Sequence, residues 1–318
     1  MRLPYPSSIR SPMLRCRRHA TLLLIGLFTI NLAAQPPPTE LGGFDLSPDD
    51  ATIVFSCQSG SSSSLYRSVR GSSHAEPLLA AAEGYSYYNP AFSPDGRQIA
   101  FVRARTGTTH AQVCLAYADG HSVAPLTGDS QIVTEVAFAS SGDEVLFVAA
   151  REFAAYSPLA HAAAHGCDLY AVSVRTKQMR RLTTLDAYGL SGLCVAPGRI
   201  YFREEAEPDS GLAGIAAGAD HPAVERIPAP RSPRPGRQFM YRATWSSRRR
   251  EFVFVMPYEI YATDADWIQA RRLFRSDSQI HLVRCFHQKD AILFSYQGSM
   301  SFHVATFDGS PLEKITPF

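Results

Sequence analysis

The sequence lacks the local signatures of the common enzyme classes. Its 318 residues contain no Gly-x-Ser-x-Gly elbow and no phosphate-binding Gly-rich loop, so neither a serine hydrolase of the usual kind nor a P-loop nucleotidase is indicated. Six cysteines occur, none in Cys-x-x-Cys spacing, so no zinc or redox motif is present and no cofactor is expected. The apolar run at residues 20–30 has eleven residues, well short of the roughly 20 that span a bilayer. Basic excess is also missing. The formal net charge of +2 rests on Arg2, Arg10, Arg15, Arg17 and Arg18, and without them the remainder is acidic by three charges. Nucleic acid is therefore not an expected partner, because phosphate binding needs a basic face.

Those five arginines belong to a leader. A basic segment through His19, the apolar run 20–30 and the small pair Ala33-Ala34 together form a secretory signal pattern, with cleavage expected after Ala34. The predicted divisions are a signal peptide at 1–34, a Pro-rich segment at 35–43 and one domain at 44–318. The expected location is periplasmic or secreted, with no transmembrane span after cleavage. Loss of Cys16 with the leader leaves Cys57, Cys114, Cys167, Cys194 and Cys285. An odd number implies a free thiol, small buried strand residues suit Cys114 and Cys285, and a Cys167–Cys194 bridge is conceivable.

What the chain does have is a repeat. Asn89-Pro90-Ala91-Phe92-Ser93-Pro94-Asp95-Gly96-Arg97-Gln98-Ile99-Ala100-Phe101-Val102 reads as two short strands about a tight turn. Pro94 presets φ, Asp95 bonds its own backbone, and Gly96 accepts positive φ. Degraded copies end on Phe55, Phe147, Phe202, Phe254 and Phe294, at steps of 46, 46, 55, 52 and 40 residues. A third strand follows each, as in Asp168-Leu169-Tyr170-Ala171-Val172, and then a fourth ending in Leu-Thr or its like, as in Arg181-Leu182-Thr183. Four strands per 40 to 50 residues is the period of a β-propeller. An all-β fold is thus predicted: a six-bladed propeller of four-stranded antiparallel blades. Residues 204–237, rich in Ala, Gly and Pro, are read as loose outer strands of blade four, not as a seventh blade.

Phe-Ser-Pro-Asp-Gly, then Ile-Ala-Phe, then Asp-Leu-Tyr, then Leu-Thr resembles the TolB-like propeller repeat, a relative of the WD-type repeat. The resemblance covers nearly all of the chain past the leader and implies a propeller. It does not choose among the binders, assembly factors and enzyme accessory domains built on that repeat. The α/β domain of TolB itself and the hydrolase domain of propeller peptidases are not matched here, so their activities are not carried over.

In such a propeller the Ser-Pro-Asp-Gly turns lie on one face. The links from strand two to three, and from each blade to the next, lie on the other, and the candidate ligand-binding residues are expected there. They are Tyr87, Tyr88 and Arg103 of blade two; Arg151, Glu152, Tyr156, His161 and His165 of blade three; Tyr188 and Glu204 of blade four; Tyr241, Arg242 and Tyr258 of blade five; and His281 of blade six. Tyr and Arg suit protein and sugar contact surfaces, though Tyr also packs between blades. Ser157 as cap, Pro158, an Ala-rich body and Gly166 predict a short helix within 151–166 that sets His161 and His165 on one face. That is a metal-ligand spacing, but Ala162 stands where a zinc hydrolase carries Glu, and no metal site is predicted. Glu152, Glu204 and Glu205 would be the acid and base of a lyase or glycosidase. No catalytic set is assigned. The leading expectation is a non-catalytic scaffold for a protein or peptide partner in the cell envelope. The alternative is a carbohydrate-binding or carbohydrate-active propeller using the same face for a saccharide.

Overall fold

The computed structural model describes residues 38–72, 74–155, 161–205, 211–231 and 242–318. The leader, and Tyr156 and Tyr241 among the candidate residues, lie outside the described residues. Among those described, 24 strands form six four-stranded antiparallel sheets, each built from four consecutive strands. This is the predicted six-bladed propeller, and no strand is exchanged between the first and last blades.

The repeat works as its alternation implies. Phe55, Phe101, Phe147, Phe202, Phe254 and Phe294, one on each second strand, are all buried. The apolar clusters lie between blades: Phe44 and Phe55 of blade one meet Leu293 and Phe302 of blade six, and Val102 and Val113 of blade two meet Val136 and Phe147 of blade three. A blade alone would leave both apolar faces wet, so the ring is the unit of stability.

The turn of the best copy is closed by its own side chains. Ser93 Oγ donates to Asp95 Oδ1 at 2.6 Å, the Arg97 amide donates to the same oxygen at 3.1 Å, and Gly96 holds φ at 71°. The Ser93 hydroxyl holds the Asp95 carboxyl below its usual range. This carboxylate is consumed in folding the turn, as expected from sequence.

Blade four closes with outer strands Gly211–Ala216 and Glu225–Ile227, as the Ala- and Gly-rich composition suggested. The innermost strand of blade one starts at Glu40, not Phe44. Thr39 donates to Gln58 O at 2.9 Å, which places this entry segment along blade one, while the Leu41 amide reaches Ser299 O of blade six at 3.4 Å. All five described cysteines are buried and unbridged, so the conceivable Cys167–Cys194 disulfide is absent. Among the described residues no helix is long and apolar enough to cross a membrane.

Candidate functional site

The innermost strand of each blade pairs only with its second strand, so its other backbone edge faces the central channel. Five of the six carry a register break near the end that opens on the inter-blade links. The breaks fall between Leu41 and Phe44, between Tyr88 and Ala91, at Thr134, between Ser191 and Cys194, and at His281. Blade five shows no break over its described residues, Arg242–Ser246. A bulge re-aims side chains and strengthens the local twist. Here the breaks form a ring of polar and glycine positions about one channel mouth.

Asn89 is the sharpest member. It holds φ at 48°, and its Nδ2 donates to Thr134 O of the next blade at 2.8 Å. Its amide oxygen lies over Gly43, where an added Cβ would come within 2.3 Å of it. Thr134 Oγ1 is buried with no hydrogen-bond partner. With Gly42, Ser56, Tyr88 and His281, these residues line a cavity of about 450 Å³. Its other walls are Val102, Ala104, Ala111, Ile132, Val133, Phe153 and Ala164, with the polar Thr108 and Thr109 beside them.

Blade three supplies a projecting arm. Its second and third strands, Glu144–Ala154 and Ala163–Ser173, run eleven residues each and stay paired through Glu152 opposite His165 and Ala154 opposite Ala163. The expected helix is corrected by this pairing. Residues 163–166 are strand, because cross-strand and inter-blade contacts outweigh the helical preference of an Ala-rich segment; residues 156–160 are not described. His165 is buried, its Nδ1–H donates to Tyr188 O at 2.8 Å, and its ring lies 4.2 Å from that of Tyr188. His161 is exposed. The common helical face that suggested ligand spacing does not form, and among the described residues no three His, Cys, Asp or Glu side chains converge.

The remaining candidates divide by environment. Tyr88, Arg242 and His281 gather at the mouth, since Arg242 and Ile280 open the innermost strands of adjacent blades. Burial pulls the His281 imidazole down to about 4, helped by Arg242 and Arg284, so it is neutral at pH 7. Tyr188 and Tyr258 stand half-exposed on the rim. Tyr87 does not reach the face: it is buried against Phe101 at 5.2 Å, because alternation turns it into the interface of blades one and two. Glu204 is also buried, with Arg226 at 3.1 Å. Arg103 is tied to Gln112 at 2.7 Å and stacks over Tyr85. Arg151 pairs with Asp186 and, at 3.2 Å, with Glu152, and Glu205 pairs with Arg203. The candidate carboxylates Glu152, Glu204 and Glu205 are thus paired in place, whereas Arg242 has no ion-pair partner among the described residues.

Sequence reading missed Gly42, Gly43, Asn89, Thr134 and Phe153. Gly42-Gly43, Asn89-Pro90 and Gly192 inside strand patterns were the available signal, since a glycine there marks a bulge or a close backbone approach. It also left the opposite face blank. The channel's other end is a cavity of about 500 Å³ lined by one turn from every blade, at Pro48, Pro94, Ser140, Pro197, Ser247 and His287. There Asp45 is consumed by Arg284 at 3.2 Å and by the Phe92 amide at 2.9 Å.

Fold and site together define a six-bladed propeller with a bulge-lined channel mouth, and the fold is TolB-like. No protein-family profile and no curated protein matches the chain. Among solved structures it is similar to TolB from Acinetobacter baumannii at 15% identity and TM-score 0.60, covering 89% of this chain and 66% of that one, slightly under two thirds of its length. A chain of a nidogen–laminin complex aligns at 10% identity and TM-score 0.63, over 84% and 94% of the two chains. An oligogalacturonate lyase in complex with manganese aligns at 11% and 0.59, over 86% and 77%. At such identities the likeness is one of fold.

Proposed function

We propose that the protein is an exported, non-catalytic binding propeller that takes a protein segment or peptide on the face carrying the inter-blade links. The observation that carries this reading is the division of charge on that face. Its candidate acid–base carboxylates Glu152, Glu204 and Glu205 are paired with arginines, while an open cavity, exposed aromatics and free strand edges stay available. Glycoside hydrolysis of the usual kind needs a pair of carboxylates free to exchange protons with substrate. Binding of an extended chain needs only edges and side-chain pockets. Export rests on the leader pattern, and cell fractionation tests it. One of the similar structures, a chain of a nidogen–laminin complex, suits a protein-contact role for this fold.

The test is site-specific photo-crosslinking in cells. A benzophenone amino acid replaces Phe153 or Tyr258 on this face, or Tyr117 beside the opposite turns. Discrete protein adducts from 153 and 258 but not from 117 are expected. Adducts from 117 alone, or displacement of adducts by oligosaccharide, would defeat the reading.

A further inference from the structure

The channel mouth combines three features whose joint chemistry is narrower than peptide binding in general. The first is a cation without a counter-charge: Arg242 opens the innermost strand of blade five beside His281 and has no ion-pair partner among the described residues. The neighbouring imidazole is kept neutral, so it neither competes for an anion as a second cation nor neutralises Arg242. Arg284, the other cation close to His281, is already held by Asp45 at 3.2 Å.

The second feature is an apolar patch, flanked by Thr108 and Thr109, in the cavity that His281 lines and Arg242 adjoins without lining. Val102, Ile132, Val133 and Phe153 line the cavity of about 450 Å³, a size that takes a small ligand or a short chain end but not a folded domain. The third is unpaired backbone. Each innermost strand is bonded on one side only, and Thr134 Oγ1 adds a buried hydroxyl with no partner. Such edges take up the main chain of an extended peptide. A hydroxyl-rich saccharide would leave much of the apolar wall unmatched.

From these we infer that the mouth captures the C-terminal carboxylate of an extended peptide ending in apolar residues, Arg242 pairing with the carboxylate and the Ile132–Val133–Phe153 wall taking the terminal side chain. A chain terminus enters such a mouth from one side. An internal acidic residue needs two exits, and the blade-three arm, through Phe153 and Ala164, covers part of the rim. The inference rests on the peptide-binding reading above and sharpens it.

The experiment uses a fluorescein-labelled Gly-Ala-Leu-Phe peptide as free acid and as C-terminal amide, with digalacturonate as competitor, read by fluorescence anisotropy on the purified mature protein. A charge-assisted pair predicts that the acid binds at least about ten-fold more tightly than the amide. Arg242→Gln should bring the acid's affinity down to about that of the amide, and Arg242→Lys should restore part of the difference. Equal binding of acid and amide, binding of neither, or displacement of the acid by digalacturonate at comparable concentration would overturn the inference. Face-specific crosslinks from position 153 that persist beside such a result would remove the carboxylate and leave the broader reading standing.

Discussion

Asp50 in blade one accepts the backbone amide of Gln288 in blade six at 2.7 Å, with its second oxygen on the His287 amide at 2.7 Å. This is a latch across the seam of the ring. Asp50 occupies the place that Gly96 holds in the best repeat, at φ 60° where Gly96 has 71°. Elsewhere that glycine packs on the preceding blade's proline, Gly96 on Pro48 and Gly142 on Pro94. Blade six has His287-Gln288 in its turn and no proline. A carboxylate there satisfies two otherwise bare amides, so the departure from the motif is what closes the ring.

Removing the latch should therefore cost more than an ordinary turn substitution. Asp50→Ala strips two amides of their acceptor and removes the polar side chain that lets Asp tolerate positive φ, and a loss of about 2–4 kcal/mol is expected from urea denaturation. Asp50→Asn tolerates the backbone and keeps one acceptor, so about half of the loss should return. The same substitution at Asp95 should cost less, since that side chain bonds only within its own turn.

The blade-three arm turns on Gly166. Its φ is 66°, and an added Cβ would lie 2.8 Å from Asp186 Oδ1 and 3.0 Å from Arg151 Cβ. Gly166→Ala should destabilise by about 1–2 kcal/mol and break the Arg151–Asp186 pair. Limited proteolysis within 151–166, accelerated in the variant while the blades resist, is the expected readout.

Stability should fall on acidification because of His281. Unfolded, this imidazole takes a proton near pH 6.5; folded, it stays neutral until about 4. The unfolded state thus binds the extra proton between those values, and stability drops by at most about 3 kcal/mol as pH falls through that window. His281→Gln should flatten the fall in Tm measured from pH 7 to 4.

The five described thiols should be silent. Burial raises Cys57 and Cys114 to about 11 and Cys194 to about 12, and pushes Cys167 and Cys285 up as well. A thiol near 11 is about 0.1% thiolate at pH 8, so native protein should react with a disulfide reagent far more slowly than denatured protein. Rapid native reaction of any one would place that cysteine at an open surface.

Much of the fold was legible because its determinants are local. Phe92, Pro94, Asp95, Gly96, Ile99 and Phe101 encode a turn and two alternating strands within ten residues, and recurrence of the pattern counts the blades. The site was less legible. Tyr87 and Tyr88 are neighbours of one type, yet alternation makes one core while the other lines the mouth, and the register shift after Tyr88 uncouples their phase from that of Phe92 in the repeat motif. The Ala-rich stretch before Gly166 favours a helix locally, but strand pairing in the blade-three arm overrules it from residue 163 onward.

By itself, then, the sequence determined the blade count, the strand order and the chemistry of the turns, since alternation and turn residues act over a few positions. Only the tertiary structure decided that Asp50 closes the ring, that Glu152, Glu204 and Glu205 are held by arginines, and that Arg242 and His281 meet at one mouth. Those relations join different strands and blades, up to 238 residues apart for Asp50 and Gln288. They exist only once the six blades have packed face to face.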